Sequence, residues 1–73
     1  MRTTFDAEVD AAYITLVPET ESGRSVRNEV VDIAGGTVVL DFDQSGMLLG
    51  LEILGATKLL DGVFLAGAER IDR

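Results

Sequence analysis

The pattern of apolar and polar positions along this chain predicts four β-strands separated by polar turns. Residues 11–17 read Ala-Ala-Tyr-Ile-Thr-Leu-Val, a run of aromatic and β-branched residues that favours extended backbone. Three later runs of the same kind span residues 25–34, 37–43 and 47–54. Because side chains alternate between the two faces of a strand, these runs place large apolar residues on both faces of the expected sheet. One face then forms the core, and the apolar residues of the other face must also be shielded from water by another part of the chain or by a second molecule.

A glycine pair marks the turn between the second and third runs. Gly35 and Gly36 both tolerate positive φ, and such a pair between two extended runs is typical of a tight hairpin. We expect Ala34 to lie opposite Thr37, which would give the hairpin one apolar face and one mixed face. The stretch before the hairpin, residues 18–23, contains the chain's only proline and predicts a loop.

The next turn leaves the register of the last strand open. Asp43 and Gly46 stand at the first and fourth positions of a predicted type I turn. A bulge at Gly46 would place alternate residues from Leu48 to Glu52 on the face of Phe42. A symmetrical pairing would place the intervening apolar residues there instead, because a slip of one residue exchanges the faces.

The C-terminal part of the chain predicts a short helix and an apolar patch. Residues 55–62 read as a helix that ends at Gly62 and is too short to be stable without docking. Val63, Phe64 and Leu65 follow as a candidate interface. The whole pattern predicts a single domain, residues 1–73, of the α+β class: a small antiparallel β-meander sheet of four to five strands with a short C-terminal helix.

The composition excludes several kinds of chemistry. The 73-residue chain has no His and no Cys, which excludes Ser-His-Asp and Cys-His nucleophiles and the zinc and iron sites that these residues build. Thirteen acidic residues against six basic ones give a net charge of -7, so we expect no nucleic-acid surface. The sequence indicates no catalytic residue, no metal and no cofactor, and we expect a protein that is not an enzyme.

The sequence also carries no sign of a membrane segment or a leader. No window approaches about 18 consecutive apolar residues, the length that a spanning helix needs. The opening residues, Met-Arg-Thr-Thr-Phe-Asp, lack the apolar core of a signal peptide. We therefore expect a cytoplasmic protein with no membrane contact.

Small size makes self-association the expected assembly. A domain near this length buries only about 60% of the surface of its unfolded chain. Without cysteine, this chain has no disulfide to compensate for a small core. The second sheet face and the patch around Phe64 together exceed what one short helix covers, so we expect a homodimer.

Two segments resemble a small bacterial protein family. The first, residues 5–14, carries an aromatic residue followed by Asp6, then Asp10 and a Tyr-Ile pair. The second begins at Asp43 and Gly46, continues as Gly-x-Glu-Ile over residues 50–53, and ends in Ala-Thr-Lys at 56–58. In order and spacing they resemble the domain-of-unknown-function 2283 family, and the resemblance covers roughly residues 4 to 60.

The resemblance implies a small β-sheet domain with a short helix, and it implies no established activity. Some members of the family look like partners of small toxin-like proteins. This chain departs from the common pattern at Phe5, where tyrosine is usual, and at Ala12, Gly55 and Thr57. The apolar patch after Gly62 lies outside the resemblance.

Three carboxylates are the candidate functional residues: Asp6, Asp10 and Glu52. Asp6 and Asp10 flank a predicted turn, where the simpler interpretation is that they accept hydrogen bonds from the backbone amides of their own turn. Glu52 stands in an apolar strand, where burial would demand a cationic partner. The candidates for that partner are Arg24, Arg27 and Lys58.

The segment 41–52 also matches the spacing of a calcium-binding loop. Acidic residues occupy its first, third and twelfth positions, and a glycine occupies its sixth. That loop needs a helix on each side, whereas strand-like runs flank it here. We therefore interpret the segment as a β-hairpin.

The function that we expect is a non-enzymatic interaction module that self-associates. One alternative is an acidic antitoxin-like subunit that binds a small basic protein, which the net charge of -7 would favour. The second alternative is a carboxylate-based metal-binding protein or hydrolase. That alternative needs Asp6, Asp10 and Glu52 to converge in the fold or across a dimer interface.

Overall fold

The computed structural model describes residues 1–18 and 24–72, so most of the predicted loop at 18–23 lies outside the described residues. The strands are β1 (Arg2–Asp6), β2 (Ala11–Thr15), β3 (Arg27–Ile33), β4 (Gly36–Phe42), β5 (Leu48–Leu54) and β6 (Glu69–Arg70). Two short helices, α1 (Ala56–Leu59) and α2 (Gly62–Ala66), lie between β5 and β6. Neither of these described helices is long and apolar enough to cross a membrane.

The described strands form one mostly antiparallel sheet in the spatial order β3-β4-β5-β2-β1-β6. A mostly antiparallel sheet with short helices fits the expected α+β class, but the meander order is wrong. Only β3, β4 and β5 follow one another as a meander, and β5 then pairs with β2 of the N-terminal β1–β2 hairpin. β6 adds to β1 in parallel at the far edge.

The strand count differs because two strands carry little apolar signal. β1 has five residues, of which Phe5 alone is large and apolar, and β6 has only two. Strand β1 is held instead by its pairing with β2, from Arg2 opposite Thr15 to Asp6 opposite Ala11. Such strands are fixed by their neighbours in the sheet and not by their own composition.

The β3–β4 hairpin turns one residue earlier than expected. Ile33 pairs with Gly36, and Ala34-Gly35 form the turn, with a φ of 98° at Gly35. A Cβ on Gly36 would lie 2.0 Å from the carbonyl oxygen of Leu54 on the neighbouring strand. Gly36 is therefore a strand residue where two backbones approach closely. The turn lies one residue earlier than expected, so Thr37 pairs with Asp32 instead of Ala34, a register shift of two residues that keeps the same side chains on each face.

The β4–β5 hairpin combines the two registers that the sequence left open. Phe42 pairs with Leu48, but Asp41 pairs with Gly50, so the ladder has a bulge next to the turn. Beyond the bulge, the apolar residues of β5 share the face of the apolar residues of β4, as the symmetrical pairing requires. The turn residues thus determine the pairing only next to the turn, and the alternation of apolar residues determines the register of the rest of β5.

The core lies between one face of the sheet and the two helices. Phe5, Ala12 and Ile53 stand side by side across β1, β2 and β5. Ala56 of α1 and Leu65 of α2 pack onto them, and each of these five side chains is at most 8% exposed. We call this side of the sheet the helix-covered face.

The C-terminal helical region differs from the prediction in its boundaries. The predicted helix was to end at Gly62, but α1 ends at Leu59, and Gly62 begins α2. The carboxylate of Asp61 caps α2 by accepting the N–H groups of Val63 and Phe64, at 3.0 and 3.4 Å. Because of this cap, a second helix begins at Gly62, the residue at which the sequence predicted that the helix would end.

The three residues of the candidate interface separate in the structure. Leu65 is 7% exposed and belongs to the same buried cluster as Phe5 and Ile53. Its side chain is thus not available for contact with another molecule. Val63 is 83% exposed and Phe64 is 38% exposed, so these two remain candidates for an interface.

We predict that Leu65→Ala lowers the free energy of unfolding by about 2 to 4 kcal/mol, since truncation of a buried leucine leaves a cavity. Urea unfolding followed by circular dichroism measures this change. Val63→Ala, two residues away on the same helix, is the control and should cost under about 0.5 kcal/mol, the usual range for a surface site. Equal losses in the two variants would contradict the assignment of Leu65 to the core.

Candidate functional site

The face of the sheet opposite the described helices, which we call the open face, holds two of the three candidate carboxylates, Asp6 and Glu52. Its residues alternate along each strand with those of the core. Read from β1 through β2, β5 and β4 to β3, its central row is Thr4, Tyr13, Glu52, Val39 and Val30. The flanking rows are Arg2, Thr15, Gly50, Asp41 and Asn28 on one side and Asp6, Ala11, Leu54, Thr37 and Asp32 on the other.

Tyr13 crosses the middle of this face. Its hydroxyl reaches from β2 over β5 and donates a hydrogen bond to Oδ2 of Asp41 on β4, at 2.7 Å. The ring lies directly over Gly50, where a Cβ would come within 2.5 Å of the phenolic oxygen and 2.7 Å of the carbonyl oxygen of Ile14. A side chain at position 50 would therefore displace Tyr13, which explains the glycine in mid-strand.

Asp41 gathers donors from both sides. Besides the Tyr13 hydroxyl, it accepts a hydrogen bond from the side-chain amide of Asn28 on the edge strand β3. Hydrogen bonds to an ionised carboxylate are stronger than those between neutral groups. The three side chains therefore link β2, β4 and β3 on the outside of the sheet.

Burial and two neighbouring carboxylates hold Tyr13 in its neutral form. Desolvation by burial, then the hydrogen bond and the charge of Asp41, and last the charge of Glu52 raise the pKa of Tyr13 to about 12. The phenol is thus a hydrogen-bond donor at neutral pH, and an ionised tyrosine is not available there as a base or a nucleophile.

Glu52 lies next to Tyr13 in the central row, and among the described residues its carboxylate has no ion-pair partner. The predicted ion pair is wrong, because the three candidate cations are placed elsewhere. Arg24 binds Asp43, Arg27 binds Glu29, and Lys58 lies on α1. Glu52 tolerates this because it is half-buried on the open face and not in the core.

A cavity of about 220 Å³ opens beside Tyr13. The carboxylates of Asp6 and Glu52 line it, and Val9 and Ile71 contribute apolar surface. It is smaller than the pockets that enclose a typical small-molecule ligand, which start near about 300 Å³. The cavity has the size and the mixed lining that suit a single long side chain.

Asp6 has a local role in its turn as well as a place in the cavity. Its Oδ1 accepts the backbone N–H of Glu8 at 3.0 Å, the turn contact that the sequence suggested for it.

Asp10 serves the helix. Its Oδ1 accepts the N–H of Thr57 at 3.0 Å, and its Oδ2 accepts the Thr57 hydroxyl at 2.9 Å. Its backbone carbonyl accepts the N–H groups of Gly55 and Ala56. Asp10 has a φ of 54°, a conformation that aspartate adopts more readily than most residues. It therefore caps α1 from a turn 47 residues earlier, a long-range contact that no local pattern reveals.

The three candidate carboxylates do not gather at one point. Asp6 and Glu52 line the same cavity, whereas the carboxylate of Asp10 is held at the start of α1. Within residues 1–18 and 24–72, no group of three or more His, Cys, Asp or Glu residues could hold a metal ion. Sequence reasoning also missed Asp41 as the partner of Tyr13. Its only signal is a charged residue inside an apolar strand.

A larger cavity of about 440 Å³ lies at the β4–β5 turn, beside Arg24 and Val26. Its polar wall is the turn itself, where Oδ1 of Asp43 accepts the N–H groups of Ser45 and Met47 at 3.0 and 2.9 Å. The hydrogen bond from the Met47 N–H, and next that from the Ser45 hydroxyl, hold the pKa of Asp43 below its usual value. The carboxylate organises a hairpin, and the hairpin interpretation of residues 41–52 is confirmed.

The fold and this surface define a class: a small α+β protein whose sheet carries two short helices on one face and a polar, acidic surface on the other. A family model described as "Protein of unknown function (DUF2283)" matches residues 2–56, and the chain belongs to that family. The matched part includes Asp10, Tyr13, Gly50 and Glu52, so the resemblance seen in the sequence is confirmed. No curated protein and no solved structure matches the chain.

We predict that tyrosinate absorbance during an alkaline titration reports a single group with a pKa of about 12, since Tyr13 is the only tyrosine and the chain has no tryptophan. The raised pKa favours the folded state fully below pH 10 and ceases to do so as the pH rises through about 12. Asp41→Asn should move the pKa toward its ordinary value without reaching it, because burial remains. A value near 10 in the folded wild type would contradict the Tyr13–Asp41 contact.

We predict that Asp10→Ala destabilises the protein by about 1 to 2 kcal/mol, the cost of losing a helix cap. Asp10→Asn is the conservative control, since asparagine tolerates positive φ and keeps one acceptor oxygen, so it should cost less. Thermal unfolding of the two variants measures the difference. Identical melting curves for Asp10→Ala and the wild type would show that the link to α1 contributes nothing.

Proposed function

We propose that this protein is a non-enzymatic interaction module that self-associates, as a homodimer in the cytoplasm, through the free edge of β3. The observation that carries this proposal is the state of that strand. Among the described residues β3 is the last strand of the sheet, and all seven of its residues are exposed. Its apolar residues include Val30 at 64%, Val31 at 42% and Ile33 at 47% exposure.

An edge strand of this kind is a template for pairing. Natural sheets protect their edges by short strands, prolines, charges or covering elements, because unpaired N–H and C=O groups recruit other strands. The other edge of this sheet is protected in that way, since β6 consists of Glu69 and Arg70 alone. β3 has seven residues and no proline, and its charged residues, Arg27, Glu29 and Asp32, leave two adjacent valines at its centre.

The hairpin register supports a symmetrical pairing of two β3 strands. Ile33 and Gly36 flank a two-residue turn, which makes them a hydrogen-bonded pair. Counting back from Ile33, the residues whose N–H and C=O groups point away from β4 are Asn28, Val30 and Asp32. An antiparallel copy centred on Val30 pairs these outward residues with one another.

The side chains suit the same register. Val30 would face Val30 of the second copy, and Asn28 would face Asp32, an amide opposite a carboxylate. On the helix-covered side Glu29 would face Val31. No pair of like charges is opposed, and opposed like charges would disfavour strand pairing.

The rival surface for self-association is the C-terminal patch that the sequence suggested. Val63 and Phe64 are exposed there, but they lie on a helix of only five residues. The third residue of the patch, Leu65, is buried and cannot contribute to an interface. The β3 edge offers backbone hydrogen bonds in addition to apolar contact, so we prefer it.

We predict that Val30→Lys abolishes self-association, because the two lysines of a symmetrical pair would stand directly opposite each other. Light scattering of the untagged protein over a dilution series should give twice 7.8 kDa for the wild type and 7.8 kDa for the variant. Circular dichroism checks that the variant stays folded, as the exposure of Val30 leads us to expect.

The matched control is Val63→Lys, the same substitution on the rival surface. It should leave the dimer intact. If Val63→Lys is monomeric and Val30→Lys remains dimeric, the interface lies at the C-terminal patch and not at β3. A wild-type protein that is monomeric at every concentration would refute self-association altogether.

A further inference from the structure

The open face has a strongly unbalanced charge. Five carboxylates belong to it, and among the described residues its one cation is Arg2. The five are Asp6, Asp32, Asp41, Glu52 and Glu69. Arg2 is already held by Glu69, to which its guanidinium donates hydrogen bonds of 2.9 to 3.0 Å. The remaining carboxylates have no cation on this face among the described residues.

We infer that the open face is a docking surface for a positively charged, extended segment of another protein. Charge complementarity is the argument, because a face with this excess of carboxylates attracts cations and repels anions. A second copy of this chain is a poor occupant, since two such faces would bring like charges together. Pairing through β3 leaves the open face free, so the two surfaces do not compete.

The cavity beside Tyr13 provides the anchor point for such a segment. The aliphatic stem of a lysine or arginine would lie against Val9 and Ile71, and its cationic end would meet Asp6 and Glu52. The ring of Tyr13 adds an aromatic surface that attracts cations. Glu52 is the central member of this site, because it has no ion-pair partner of its own among the described residues.

The dimensions of the face set the length of the segment. Its rows cross five strands, from β1 to β3, which at a spacing of about 4.8 Å spans about 19 Å. An extended chain covers that distance in about six residues at about 3.3 Å each. A segment of this length with lysine at alternate positions would direct its cations toward the carboxylates.

The test uses a labelled peptide of about seven residues, alternating lysine and threonine, and measures binding to the full chain by fluorescence anisotropy. We expect the wild type to bind it and Glu52→Gln to weaken binding by about tenfold, the effect of removing one close charge pair. The same peptide with glutamate in place of lysine should not bind. A wild type that fails to bind the lysine peptide at millimolar concentration would overturn the inference.

Glu29→Gln is the matched control, since it removes the same charge from an exposed residue on the helix-covered side of β3. It should change the affinity by less than about twofold. Equal losses in the two variants would mean that the peptide senses only the net charge, which would overturn a site on the open face. Light scattering of both variants checks that neither change acts through self-association.

Mapping by amide chemical shifts locates the bound peptide independently of any substitution. We expect the largest shifts at Tyr13, Glu52 and their neighbours on β1, β2 and β5. Shifts centred on α1 and α2 would place the peptide on the helix-covered side and overturn the inference.

Discussion

The pairing of β2 with β5 is the constraint on which the rest of this structure depends. It joins two locally formed units, the β1–β2 hairpin and the β3–β4–β5 meander, into one sheet. On one side the pairing sets Ala12 beside Ile53 in the core, and on the other it sets Tyr13 beside Glu52. The core that receives the helices and the polar surface that faces away from them are therefore two results of a single register. A slip of one residue would exchange the contents of the two faces.

The local parts of this arrangement could be predicted from the sequence, whereas the long-range parts could not. Alternation and turn residues indicate β3, β4 and β5, because hairpin partners are close in the chain. Nothing local indicates that Gly36 must pass against Leu54, so the predicted turn shifted by one residue. The capping of α1 by Asp10 and the contact of Tyr13 with Asp41 span 47 and 28 residues. Their geometry follows from the sheet order, which composition and periodicity do not fix.

The distribution of cations explains why one face stays acidic. The four arginines of the described residues each pair with a carboxylate. Arg27 and Arg70 pair with residues two positions away, and Arg24, just before β3, pairs with Asp43 at the β4–β5 turn. Only the pair of Arg2 with Glu69 belongs to the open face. The charge of the chain is thus unevenly distributed, and its excess gathers where Tyr13, Asp41 and Glu52 meet. A sum over the sequence gives the sign of this charge, and the fold gives its position.

Leu65 has a consequence for how such proteins diverge. The segment shared with the family ends at Ala56, yet the core formed by Phe5, Ala12 and Ile53 is completed by a leucine nine positions later. The shared strands thus supply a hydrophobic depression, and a separate stretch of chain fills it. The filling segment needs only an apolar side chain of suitable volume, which is a weak demand on its sequence. A stretch under so weak a demand can change its sequence while the strands that it covers stay the same.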